Sequence, residues 1–82
     1  MYMTELDDLV PGTMYEFHTK TWLSPFAETI PAARKIRKFI RIVYIETEAI
    51  GPVPFVELGK SNGTRDLIAV EIIINVVPLT RH

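Results

Sequence analysis

The chain has 82 residues, no Cys, a hydrophobic fraction of 48% and a net charge of −1 at pH 7. That length makes one domain, and the lack of Cys excludes disulfides and thiolate metal sites. A near-neutral charge gives no global field toward nucleic acid or anionic lipid, and no apolar stretch approaches the roughly 20 residues of a spanning helix.

A domain of this size buries only about 60% of its unfolded surface. It usually draws on disulfides, a metal or oligomerisation for stability. His18 and His82 stand far apart with no ligand spacing around either, so neither a metal nor a cofactor is expected. Oligomerisation remains, and the mean hydropathy of +0.16 fits it. The acidic N-terminus, Met1-Tyr2-Met3-Thr4-Glu5-Leu6-Asp7-Asp8, lacks the apolar core of a signal peptide. A cytoplasmic protein with no membrane association is the expectation.

In chain order, residues 4–10 read as one helical turn with Thr4 as cap and Asp7 and Asp8 near its positive end. Pro11-Gly12 stops it in the order a type II turn prefers. Residues 13–23 read as a half-buried strand. Tyr15, Phe17 and Leu23 share a face with Thr13, Thr19 and Thr21; Glu16, His18 and Lys20 share the other with Met14 and Trp22. Ser24-Pro25 ends it and suits the start of a short helix, which Pro31 breaks. From Pro31 two patterns overlap. Ala33, Ile36, Phe39 and Ile40 recur at helical spacing, whereas residues 39–47 are strand by composition. The helix-to-strand boundary falls near residues 37–39.

Gly51-Pro52-Val53-Pro54 punctuates the next stretch. Residues 53–60 and 65–77 then read as strands joined by Ser61-Asn62-Gly63-Thr64, since Asn-Gly tolerates the positive φ angles of a tight turn. The second of these is apolar on both faces around Ile72, Ile73, Ile74, Val76 and Val77, which implies cover on both sides. It has room to bend near Glu71 and supply two strands. Five short strands with tight connections and an early excursion resemble SH3-like and Sm-like small β-barrels. The expected fold is therefore mainly β, a small bent sheet or barrel of about five strands with a short helical insert. The alternative is an α+β sheet with residues 31–39 packed across it as a helix.

Two surfaces stand out as binding candidates. Ile72, Ile73, Ile74, Val76 and Val77 form a candidate self-association strand. Asn75 among them needs a backbone partner, at a bulge for example, or one across a subunit boundary, because an unpaired buried amide costs about 1–3 kcal/mol. The second is the basic run Arg34, Lys35, Arg37, Lys38 and Arg41, five of the nine Lys and Arg within eight residues. Such a run neutralises phosphates or an acidic protein patch, with Phe39 and Tyr44 available to stack bases. It serves equally as a solvated edge that discourages unwanted pairing. Trp22 and Phe26 either form an exposed aromatic patch or cap one end of the core.

Catalysis has thin support. His18 has no positioned nucleophile, and nothing in the sequence brings Glu16 against Glu46 or Glu48 as a carboxylate pair. Gly59-Lys60-Ser61-Asn62-Gly63 lacks phosphate-loop spacing, and Glu5, Asp7 and Asp8 lack the calcium-loop pattern. The expected role is a non-catalytic binding or assembly module acting through homo-oligomerisation and protein contacts. The alternative is a nucleic-acid-binding protein using residues 34–41.

Overall fold

Pro11 and Gly12 sit at the centre of a turn closed by the Thr13 N–H donating to the Val10 carbonyl at 3.1 Å. Gly12 has φ +87°, the positive value that the third position of a type II turn requires and that Gly adopts without a Cβ clash. The protein is seen here as a computed structural model that describes residues 6–23 and 27–79. Thr4, Ser24, Pro25, Phe26 and His82 lie outside those residues, and with them the expected cap, the short helix start and half of the aromatic patch. Leu6–Asp8 is a single 3-10 turn.

Strand β1, Met14–Thr19, follows the turn with Tyr15, Phe17 and Thr19 buried and Glu16 and His18 on its other face. The strand expected to continue to residue 23 breaks at Lys20, whose N–H donates instead to the Ile72 carbonyl at 2.9 Å. Beyond the break, β2 (Trp22–Leu23) pairs with β3 (Thr29–Ile30) as a separate two-stranded hairpin. The interruption resets the alternation, so Trp22 packs against the core and Leu23 is exposed. An unbroken strand would have done the opposite.

Strand β4 runs from Ala33 to Thr47, so the helical insert expected over residues 31–39 is absent. Its first half pairs with β1 in register, Lys38 opposite Met14 through Ala33 opposite Thr19. Burial there alternates with a period of two, Arg34, Ile36 and Lys38 outward and Lys35, Arg37 and Phe39 inward. Cross-strand packing on β1 overrides a helical spacing that only four apolar residues carried. Strands β5 (Gly51–Gly59), β6 (Arg65–Ala69) and β7 (Ile73–Pro78) complete the set. The expected bend near Glu71 is a 3-10 turn, Val70–Ile72, dividing β6 from β7.

The main sheet is antiparallel, with the order β6-β5-β4-β1-β7. Strands β6 and β7 thus occupy opposite edges while only three residues join them. Four inter-strand spacings of a flat sheet make roughly 19 Å, and one 3-10 turn of three residues rises roughly 6 Å. The sheet therefore curls until its edges approach, giving the strongly bent five-stranded antiparallel sheet that the sequence led us to expect. The bend is eased by a register shift in β4 between Phe39 and Arg41, where the strand passes from β1 to β5 as its main partner. Phe17, Phe39, Val56, Leu58, Ile68 and Val76 fill the concave side.

At the β5–β6 turn, Gly63 has φ +87° while Asn62 keeps a negative φ. Asn62 acts through its side chain instead, its Oδ1 accepting from the Thr64 N–H at 3.0 Å, an Asx arrangement that mimics a backbone turn.

Candidate interaction surfaces

The long β4–β5 hairpin outreaches its neighbours. Strand β1 covers β4 only as far as Lys38, with two further bonds at Phe39, whose N–H donates to the Thr13 carbonyl at 2.9 Å and whose carbonyl accepts the Gly12 N–H at 2.8 Å. Strand β6 covers β5 only from Phe55 to Gly59. Residues 42–54 therefore extend past β1 and β6 as a two-stranded arm, its base packed on the core through Ile42 and its Pro52–Pro54 side bordered by Val70 and Glu71 of the 3-10 turn, and the molecule measures 45 × 29 × 24 Å. Thr47 Oγ1 holds the tip, donating to the Gly51 carbonyl at 2.8 Å and accepting the Ile50 N–H at 3.3 Å. Tyr44 is 69% exposed and Ile50 76%, with Ile45 exposed between them.

The two edges of this arm differ. Pro52 and Pro54 lie opposite Glu46 and Tyr44. Lacking an N–H, each proline takes a ladder position that exchanges no hydrogen bond with β4, and together they blunt the β5 edge. In an antiparallel pair, bonded and non-bonded positions alternate. Tyr44 and Glu46 therefore turn their own N–H and C=O groups to the far side of β4. Among the described residues no strand covers that side beyond Phe39. One edge is closed by sequence; the other presents unpaired donors and acceptors beside exposed apolar side chains.

The basic run does not form one patch. Arg37 Nε donates to Asp66 at 3.4 Å, and Arg41 Nε donates to Glu57 at 2.7 Å. Arg34, Lys35 and Lys38 have no ion pair among the described residues, and Lys35 points to the opposite face from the other two. Phe39 is 4% exposed and packs in the core. Its expected role as a stacking platform therefore fails for want of a free ring face. Tyr44 is free to stack, but six strand positions beyond Lys38, about 20 Å away. A shallow cleft of about 320 Å³ does gather Arg37, Lys38 and Lys60 beside the turn at Ser61 and Asn62.

Two carboxylates anchor these cations. Glu57 lies on the outer face of β5 yet is buried, because Arg41 and Arg65 cover it from the strands on either side. Hydrogen bonds from Arg41 and then Arg65 hold its carboxyl below the ordinary value of 4.5. Burial pushes Asp66 up, but Lys60 at 3.1 Å, Arg37 and the charge of Lys35 outweigh it and hold it below 3.8. A carboxylate with a depressed folded-state pKa stabilises in full above its unfolded value and loses that contribution as pH falls through the folded value. Melting temperature should therefore stay level down to the ordinary carboxylate values and fall below them. Glu57→Gln should weaken the fall, and an unaltered acid profile in that variant would refute the assignment.

The expected self-association strand is divided by its own sheet. Ile72 and Val76 are core residues, and Ile73 packs against the core. Val77 is half-buried, opposite Glu16. A bulge where β7 pairs with His18 and Thr19 turns Ile74 outward, 55% exposed. Those five residues thus do not share a surface, because curling of the sheet supplies within one chain much of the cover expected from a partner. Asn75 is buried opposite His18, beside that bulge, and its Oδ1 has no hydrogen-bond partner among the described residues.

His18 Nε2 and Glu16 Oε1 lie 2.8 Å apart on the outer face of β1. The register sets Glu16 opposite Ile36 and Glu46 opposite Pro52, so these carboxylates do not meet. Among the described residues no group of three His, Asp or Glu side chains is placed to hold a metal ion, and no helix is long and apolar enough to cross a membrane. The projecting arm was missed from sequence; its signal was the pair Pro52 and Pro54 facing a strand with no such block. Comparison with protein-family models, with curated proteins and with solved structures finds no match.

Proposed function

We propose that the protein is a non-catalytic assembly module that associates with a second copy of itself by pairing the open edges of β4. The carrying observation is the asymmetry of the arm, an edge blunted by Pro52 and Pro54 against an open one beside exposed Tyr44 and Ile45. Unpaired strand edges are templates for pairing with another chain. A two-fold axis beside β4 joins the two arms into one four-stranded ribbon and makes the interface self-complementary. Light scattering over a concentration series, at low salt and near 0.5 M salt, tests this. A dimer mass that persists in salt is the expected result. A monomer throughout at micromolar concentration overturns it.

A second reading, binding of a nucleic acid, draws on the cleft of Arg37, Lys38 and Lys60. Among the described residues Asp66 is the carboxylate in ion pairs with its cations. Here Arg34 and Lys38 are the residues to reverse, since Arg37, Arg41 and Lys60 hold carboxylates. Arg34→Glu with Lys38→Glu should abolish retention of single-stranded RNA or DNA at low salt; retention equal to the parent protein would end this reading.

A further inference from the structure

We propose that the cleft between the β2–β3 hairpin and the crossover from β6 to β7 binds a small amphipathic carboxylate, a molecule with an apolar body and one anionic head. The cleft has a volume of about 420 Å³, within the range of roughly 300–1,000 Å³ that small-molecule sites occupy. Trp22 and Ile30, a directly opposed pair of the small hairpin, form one wall. Phe55, Ile68 and Ile72 form the other. Apolar walls with few polar groups are the usual make-up of such a site.

Its polar groups select the head. Lys35 lines the cleft from the inner face of β4 and is half-buried. Among the described residues no carboxylate stands within ion-pair distance of it. Asp66, whose charge it feels, is already held by Lys60 and Arg37. Lys35 therefore has no ion pair of its own among the described residues, and a ligand carboxylate would supply one. Glu71 also borders the cleft but is exposed on the 3-10 turn. Thr19 also lines the cleft, but its hydroxyl already donates to the Ala33 carbonyl at 3.4 Å.

Trp22 is the chain's single Trp, so its emission reports occupancy of this cleft directly. The probes are decanoate and its uncharged counterpart decanol, both kept below the onset of micelles. Decanoate should shift Trp22 emission saturably and bind more tightly than decanol. Lys35→Met should weaken decanoate by about tenfold or more, the loss of one charge-assisted hydrogen bond, and leave decanol unchanged. Lys35→Arg should retain most of the affinity, and circular dichroism should show both variants folded. Equal binding of the two probes, an unchanged affinity in folded Lys35→Met, or no saturable shift with decanoate would each overturn the proposal.

Discussion

Tyr44→Pro should abolish the proposed self-association while leaving the fold intact. The N–H of Tyr44 faces the open side of β4, since its cross-strand neighbour Pro54 occupies a position without ladder bonds. Removing that N–H takes nothing from the pairing of β4 with β5. It does place on the open edge the same block that Pro52 and Pro54 set on the other. Each copy loses one edge donor, at a net worth of about 0.5–1.5 kcal/mol, or about 1–3 kcal/mol per pair of copies, so dissociation should rise by about fivefold to a hundredfold. Val43→Pro is the contrasting variant. Val43 lies opposite Phe55 at a bonded position, and its loss should destabilise the monomer itself. Sedimentation gives the first result and thermal melting the second. A Tyr44→Pro protein that still dimerises as the parent does would exclude the β4 edge as the interface.

Phe17→Ala should remove a large share of the folding stability. Phe17 is 0% exposed on β1, flanked by β4 and β7, opposite Val76 in the register. Its ring meets Tyr15 edge-on with centroids 6.1 Å apart. Truncating a buried Phe costs about 3–5 kcal/mol. At the general rate of about 0.05–0.15 kcal/mol per residue, a chain of this length holds roughly 4–12 kcal/mol in all. The melting temperature should fall by more than about 12 °C. A fall of under about 4 °C would mean that the ring is not packed as described.

The alternation of Tyr15, Phe17 and Thr19 was legible because one face of β1 is buried and one is wet, and the period of two records that directly. Pro11-Gly12 and Gly63 were legible for a local reason, since their φ angles are set by residue type. The bend at Glu71 was legible as an apolar run too long for one strand of a small sheet. Residues 31–39 misled because four apolar residues at helical spacing carry little energy, while pairing with β1 fixes a full half-strand. The basic run misled because linear density says nothing of pairing: Asp66 and Glu57, far along the chain, claim two of its cations. Thus local chemistry in the sequence set the turns, the strand faces and the mainly β class. The tertiary structure decided what is inside and what is free. Curling of the sheet buried Ile72 and Val76, and the unequal lengths of β1 and β4 left one edge of the arm open. Both depend on contacts distant in sequence, whose closure no local pattern encodes.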